Sequence, residues 1–420
     1  MVTLNKTRSK LKQSFPPAFL YPEYRAFWAG MLASVSGFQM MQFGQIVLVH
    51  QLTESPIFLG LLGLSSGIPA ILLNPVGGVY ADRWDKRRLV VFTQTTTSLL
   101  LLCLAVLTWL GIVNAWYCLF IAFLVGSVEA FDQSARRALF PHLVPRSALV
   151  SAVALNSAIW SGTRIVAPAA AGIIIAIFNP AIAFLAASLG IATMAYFIYK
   201  LQPIPSTSTT RGSPAKEMLE GFNFIRRNSP FPFLIVMTFF NSFFGISYIY
   251  LMPVFAIDIL KIGTIGQGWL LSISGIGSLV TTVWLSTSKN VNNKSILVIG
   301  GGIGFGLSIA AFGLTSRFLP SYGIALLLML VIGLTSSTYM ISIQSSLQLL
   351  VPDNMRGRVM GFFGMSWNIL PIGGMQVGTL ASFITAPYAV ATGGFAVAAF
   401  TSLAFTFSTK VRNLNSLIRT

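Results

Sequence analysis

Apolar residues along this chain gather into long blocks separated by short polar stretches. Twelve blocks are readable, at 26–51, 56–81, 88–111, 115–135, 148–177, 180–200, 231–257, 264–286, 295–315, 321–346, 357–384 and 387–409. Each is long enough for a helix that crosses a bilayer. Such a helix needs about 20 mostly apolar residues, because lipid offers the backbone no other hydrogen-bonding partner. Several blocks hold Gly or Pro, which membrane helices tolerate. The pattern predicts an all-α integral membrane protein of twelve transmembrane helices.

Composition agrees. Of 420 residues, 55% are hydrophobic and only 9% are Asp, Glu, Lys or Arg, against about 25% in soluble proteins. Mean hydropathy is +0.77. Cys103 and Cys118 both fall in apolar runs and form neither a disulfide framework nor a metal-ligand spacing. The first 25 residues are basic and Pro-rich, with no short apolar core before a small-residue cleavage site, so no cleaved signal peptide is expected.

The basic residues orient the chain. If the ends of the twelve segments are assigned alternately to two sides, 24 of the 27 Lys and Arg fall on the side of both termini. Lys261 and Arg317 fall on the other side, and Arg164 lies inside a segment. Lys and Arg accumulate on the cytoplasmic face. The expectation is a multi-pass protein of the plasma (inner) membrane with both termini in the cytoplasm. The net charge of +17 then reflects topology and contact with anionic lipid headgroups, not nucleic acid, whose binding needs basic residues clustered on a folded face.

The longest polar stretch, "QPIPSTSTTRGSP" (202–214), reads as a flexible linker. In the "AKEMLEGFNFIRRN" that follows, Met218, Leu219, Phe222 and Ile225 share one helical face, as in a short amphipathic helix on the inner membrane surface. The expected organisation is an N-terminal segment (1–25), a six-helix bundle (26–200), the linker with its helix (201–230), a second six-helix bundle (231–409) and a tail (410–420). A shift of about 207 residues superposes Val144-Pro145 on Val351-Pro352, "VAPAAAG" (166–172) on "IGGMQVG" (372–378), and the loop 77–91 on 286–298. The halves therefore read as a duplication. Parallel six-helix repeats are a transporter architecture, two pseudo-symmetric bundles around a central cavity with the substrate near the midplane.

The loop between segments two and three, "GGVYADRWDKRRLVV" (77–91), concentrates charge that the rest of the chain avoids. Six of the seven residues 82–88 are charged. It resembles the signature loop of the major facilitator superfamily in Gly78, Asp82, Arg83, Lys86 and Arg87, with Asp85 where that loop usually has Gly. "SGTRIVAPAAAG" (161–172) is similar to the Gly-Pro motif of helix five in the antiporter branches, carried here by Gly162, Pro168 and Gly172, with Ala167 where Gly is usual. "EMLEGFNFIRRNSP" and "VPDNMRGRVMG" resemble the enterobactin-exporter and macrolide-efflux-like branch. The resemblance implies that Asp82 meets the N-terminus of helix eleven, near Met355–Arg358, in the outward-facing state. There it meets free N–H groups and a positive helix end, worth up to about 2 kcal/mol. Lys86 or Arg87 can pair with Glu129 or Asp132 low on helix four, and Gly77 and Gly78 let helices pack closely.

Ionisable residues inside the segments are few: Glu129, Asp132, Arg164 and Asp258. An intramembrane charge costs at least about 2.5–3.5 kcal/mol, which marks functional candidates. Glu129 is the candidate proton carrier, with Asp132 and Arg164 beside it as coupling candidates. A carboxylate moving between an apolar pocket and an arginine can load and release a proton. Arg164, midway along helix five, is either a structural clamp or a cavity charge for an anionic substrate. Asp132 and Asp258 lie near segment ends and are expected to be wetted. The superfamily lines its cavity with helices one, four, seven and ten, which implies Gln39, Gln42 and Gln45, Asn241, Tyr248 and Tyr250, and Tyr339 and Gln344 as lining residues. Such uncharged groups suit an amphipathic substrate.

No ATP-binding motif appears. "GGGIGFG" (300–306) follows no strand and lacks G-K-[ST], so it reads as helix packing. No cofactor or metal is expected, only an ion gradient, and the partners are a small-molecule substrate and membrane lipid, with the chain acting as a monomer. The reading is a secondary active transporter, a proton-coupled exporter (antiporter) of amphipathic molecules such as drugs or siderophore-like metabolites, by alternating access. The alternatives are an importer or a lipid or metabolite transporter on the same fold. From other classes come a non-transporting scaffold and an intramembrane enzyme, the latter opposed by two remote histidines and scattered acids. The orientation is directly testable: cysteines at Ser206 and Thr420 should react with an impermeant maleimide only in inverted vesicles. Labelling of either in intact cells reverses the topology.

Overall fold

The computed structural model describes residues 16–202, 214–287, 293–412 and 414, with the side chains of 75–76, 78–79, 81–83, 214–217 and 410–411 left out. Gly78, Asp82 and Arg83 of the signature loop, and Lys289 in the repeat-related loop 286–298, therefore lie outside the described residues, apart from the backbone of the first three, which continues a helix.

Twelve spanning segments run in chain order: α1 (Pro22–Thr53), α2 (Pro56–Arg83), α3 (Lys86–Trp109), α4 (Ala115–Leu139), α5 (Leu149–Ile177), α6 (Pro180–Lys200), α7 (231–259), α8 (Gly263–Thr287), α9 (Lys294–Phe318), α10 (Tyr322–Leu350), α11 (353–384) and α12 (Ala386–Phe407). Local chemistry fixes their starts. Pro occupies the first turn of α1, α2 and α6, where its missing N–H costs nothing. Asn114 and Asn179 cap α4 and α6 by accepting from the backbone N–H three residues on.

Two segments are not regular. Among the described residues, eleven helices are long and apolar enough to cross a membrane. The twelfth, α11, is broken: Asp353–Met365 and Leu370–Ile384 are joined by a 3-10 stretch at Ser366–Ile369. In α7 a regular start (Phe231–Phe240) gives way to a π turn (Asn241–Gly245), a 3-10 stretch (Ile246–Leu251) and a second π stretch (Val254–Ile259).

The helices pack as two bundles of matching design. In the first, α2 lies on α4 and α3 on α4 and α6. In the second, α8 lies on α10 and α9 on α10 and α12, each pair six helices further on. Hydroxyls and amides join helices within a bundle, as from Ser34 to Gln94 (2.8 Å) and from Tyr24 to the Ala152 carbonyl (2.9 Å). Gly77 sits close enough to α4 that a methyl there would lie 2.5 Å from the Ala130 carbonyl. The linker helix (Pro214–Arg227) rests against the start of α11, held by Glu220 to Arg358 at 2.7 Å. Its Ile225 is buried, and Met218, Leu219 and Phe222 are exposed.

The bundles meet along two seams, α2 on α11 and α5 on α8, which the duplication exchanges. Both seams are tight at the end away from the termini. A methyl at Gly172 would strike the Thr264 carbonyl, and one at Gly378 the Pro56 carbonyl. Thr264 donates from its hydroxyl to the Gly172 carbonyl across the seam (3.1 Å). Toward the termini the same helices part. A methyl at Gly162 on α5, or at Gly357 or Gly361 on α11, would meet nothing, and Val150 and Val153 stand exposed. The molecule is closed at one end and open at the terminus-bearing end. Gly162 is thus not a packing residue; within the helix-five motif the close approach rests on Pro168 and Gly172, which lie deeper in the seam. Gly172→Ala should cost about 1–3 kcal/mol by overpacking, whereas Gly162→Ala should be neutral or gain up to about 1 kcal/mol. Thermal unfolding in detergent separates the two, and equal effects would contradict the seam.

Candidate functional site

Two adjoining cavities lie between the bundles. The larger, about 220 Å3, is walled by Gln42 and Gln45 of α1, Glu129 of α4, Tyr250 of α7, and Trp367 and Asn368 of α11. The smaller, about 110 Å3, is walled by Gln39 and Gln42 of α1, Arg164 and Pro168 of α5, Tyr248 of α7, and Gln267 and Ser274 of α8. Gln42 faces both. The irregular stretches build this region. The 3-10 turn of α7 carries Tyr248 and Tyr250, one to each cavity, and the 3-10 turn of α11 carries Trp367 and Asn368.

Glu129, Asp132 and Arg136 fall on one face of α4 at i, i+3 and i+7. Arg136 holds Asp132 at 2.6 Å and Glu129 at 3.2 Å. Thr93 of α3 donates to the other oxygen of Asp132 at 2.7 Å. Asp132 is 1% exposed, so it is not wetted; its position near the helix end is covered by α3. Arg136 also borders a third cavity of about 250 Å3 between α1, α4 and α5, with Arg137, Phe27 and Trp160 in its wall. Arg136 therefore stands between the central cavity and a space near the open end.

The pairing expected for Lys86 or Arg87 is corrected by this network: Arg136 takes both acids. Arg87 instead donates from Nε to the Ile198 carbonyl (3.1 Å) and from Nη to the Tyr199 carbonyl, at the C-terminal, negative end of α6. It also lies over the Tyr199 ring. Lys86 is buried at the start of α3. Asp85, the residue that departs from the usual Gly, has a local role. Its carboxylate accepts from the N–H groups of Arg87 (2.9 Å) and Arg88 (3.3 Å) and caps α3.

Arg164 does not reach Glu129, and among the described residues no carboxylate pairs with it. It faces the smaller cavity, close enough to Tyr248 to act on its hydroxyl, which also meets Ser274. Two expected lining residues belong to the packing instead. Tyr339 is 1% exposed and donates to the Met237 carbonyl (3.1 Å), joining α10 to α7. Asn241 is buried and directs its amide nitrogen at the Met340 sulfur (3.5 Å). Gln344, half-buried, lines none of the three cavities.

At the closed end, His50 of α1 and Asp258 of α7 pair across the bundles, with Nε2 3.1 and 3.2 Å from the two carboxylate oxygens. His50 is buried and Asp258 half-exposed, so that acid is both wetted and engaged. Sequence reasoning missed this pair, along with Arg136, Thr93, Gln267 and Trp367. The i, i+3, i+7 spacing of Glu129, Asp132 and Arg136 was the one readable signal.

A family model described as "Transmembrane secretion effector" matches residues 14–418. The staphyloferrin A transporter of Staphylococcus aureus (strain NCTC 8325 / PS 47) is 24% identical over 340 residues, 78% of this chain and 82% of the relative. Macrolide efflux protein A of Streptococcus pyogenes is 23% identical over 362 residues, covering 84% and 87%. The enterobactin exporter of Escherichia coli O81 (strain ED1a) is 22% identical over 379 residues, 89% of each. A crystal structure of a D-xylose–proton symporter shares the fold, with a TM-score of 0.74 at 13% identity over 93% of this chain and 99% of that one. The twelve-helix architecture, the two-bundle cavity and these matches together make the chain a multi-pass membrane transporter and not an enzyme, and it belongs to the transmembrane secretion effector family of the major facilitator superfamily.

Proposed function

We propose that this transporter is a proton-coupled exporter of small amphipathic molecules, working by alternating access in the plasma membrane with both termini in the cytoplasm. In that orientation the open end faces inward. The observation that carries the reading is Glu129, a carboxylate in the wall of the central cavity that is held by Arg136, itself bordering a cavity near the open end. The cavity walls combine aromatic rings with amides, which suits an amphipathic passenger. The named activities of two relatives, macrolide efflux and enterobactin export, point the same way.

The cycle follows from charge. With the inner end open, Arg136 claims the Glu129 carboxylate, so a proton on Glu129 is released to the cytoplasmic side and the cavity is free for substrate. With the outer end open, protonation removes the charge that Arg136 holds. Antiport then requires that proton and substrate favour opposite-facing states, since a ligand shifts an equilibrium only by its differential affinity. The outer end closes through the glycine seams and His50–Asp258. In the opposite state the inner end closes where Asp82 meets the start of α11. Arg358 is already held there by Glu220, so the linker helix travels with α11.

Two experiments test this. In inverted vesicles carrying the wild type, a lumen-acid gradient should drive accumulation of an amphipathic dye, and a protonophore should abolish it. Glu129→Gln keeps the shape of the side chain and loses its titration, so it should fall at least about tenfold in gradient-driven accumulation while retaining dye–dye exchange without a gradient. Accumulation at the wild-type rate removes Glu129 from the coupling. Separately, Asp82→Asn should fold normally and transport poorly, because its contact with the α11 terminus loses a charge, whereas Lys289→Ala at the repeat-related position should transport normally. Wild-type rates for Asp82→Asn remove the inner latch.

A further inference from the structure

We propose that the smaller cavity is an anion subsite, which takes the carboxylate or similar anionic oxygen group of a molecule whose apolar body occupies the larger cavity. The proposal rests on the reading of the protein as a carrier of amphipathic molecules and names the class it carries.

Arg164 is the first ground. It lies 15 residues from the start of α5 and 13 from its end, roughly 20 Å from either end at 1.5 Å per residue. A guanidinium at that depth is expensive unless something compensates it. None of the described carboxylates does. Glu129 and Asp132 are taken by Arg136, and Asp258 by His50. The polar groups that share its cavity are all neutral: Gln39, Gln42, Tyr248, Gln267 and Ser274, set among apolar side chains. A guanidinium presents a planar fork of donors matched to two anionic oxygens. The missing partner is therefore an anion from outside the chain.

Gln267 is a second and independent ground. It is 1% exposed, it lines the same cavity, and its side-chain carbonyl oxygen has no hydrogen-bond partner. Buried polar atoms are ordinarily satisfied, and one left open beside a cavity awaits a ligand. An acceptor there receives an O–H or N–H carried next to the anionic group.

Size sets the division of labour. About 110 Å3 holds a carboxylate with a neighbouring hydroxyl, not a whole drug-sized molecule. The body of the ligand extends past Gln42 into the 220 Å3 cavity against Tyr250 and Trp367. The subsite is also built from both bundles, with Gln39, Gln42 and Arg164 from the first and Tyr248, Gln267 and Ser274 from the second. It lies on the α5–α8 seam, where Gly275 packs against the Arg164 backbone. An anion bound there touches the two parts that must move.

The test is equilibrium binding to the purified protein in neutral-lipid nanodiscs without any gradient, so it reads the subsite and not the direction or coupling of transport. Three probes share one apolar body: naphthylacetate, naphthylacetamide and (naphthylmethyl)trimethylammonium. The wild type should bind the acetate about tenfold more tightly than the amide, the difference one charge-assisted hydrogen bond makes over a neutral one, and the ammonium least. Arg164→Gln should bring the acetate-to-amide ratio to about one, and Arg164→Lys should restore part of it. Gln267→Leu should weaken acetate binding by a smaller factor. The proposal is overturned if the wild type binds no probe, if it prefers the ammonium, or if the ratio survives in Arg164→Gln. Should Arg164→Gln fail to fold, the wild-type ranking and Arg164→Lys decide. Loss of proton-driven export with the binding ratio intact would overturn the antiport reading alone.

Discussion

Backbone-to-backbone contact between the bundles is the constraint on which the rest depends. Along α5–α8 and α2–α11 the chains approach until only hydrogen fits at Gly172 and Gly378. In lipid no hydrophobic effect drives helices together, so close packing and hydrogen bonds such as Thr264 to Gly172 must do so. The same helices supply the cavity walls about one to three turns deeper: Arg164 and Pro168 on α5, Gln267 and Ser274 on α8, and Trp367 and Asn368 on α11. Opening the seams and reshaping the cavities are therefore one movement.

Charge inside the first bundle is organised by a different rule. Two carboxylates on one helical face repel, and Arg136 reconciles them while nearly buried itself. Breaking such a group by removing one partner leaves an uncompensated charge, at a cost of about 3–5 kcal/mol. Asp132, with Thr93 and Arg136 around it, is the fixed member. Glu129 has fewer ties, with Arg136 alone holding it among the described residues, and faces the cavity. The second bundle has no acid at the related depth of α10, so the pseudo-symmetry of the backbone does not extend to its chemistry.

Much of the fold was legible in the sequence because lipid demands a visible signal. The twelve apolar blocks match the twelve segments closely, and the duplication matches the exchanged seams. The resemblance to the major facilitator superfamily is borne out by the family match. The site was only partly legible. Gln39, Gln42, Gln45, Arg164 and Tyr248 line the cavities, but Asn241 does not, because it sits in the π turn of α7, outside a regular register, and Tyr339 does not, because on α10 its hydroxyl turns to the Met237 carbonyl of α7. Gly162 and Gly172 look alike in sequence and differ only in what lies opposite. Arg136 was counted with the loop charges, since one residue's distance from a helix end does not reveal whether a neighbouring helix covers it.

The depth of Arg164 has an electrical consequence. A group bound halfway along α5 rides through the membrane voltage as the bundles rock. Each elementary charge crossing a potential of 100 mV exchanges about 2.3 kcal/mol with it. A cell interior is negative, so in the direction proposed above an anionic passenger held by that guanidinium would leave with the field, whereas a cationic one would be lifted against it. Under that proposal, the charge that one side chain selects decides whether the resting voltage of the cell assists export or opposes it, before any proton is counted.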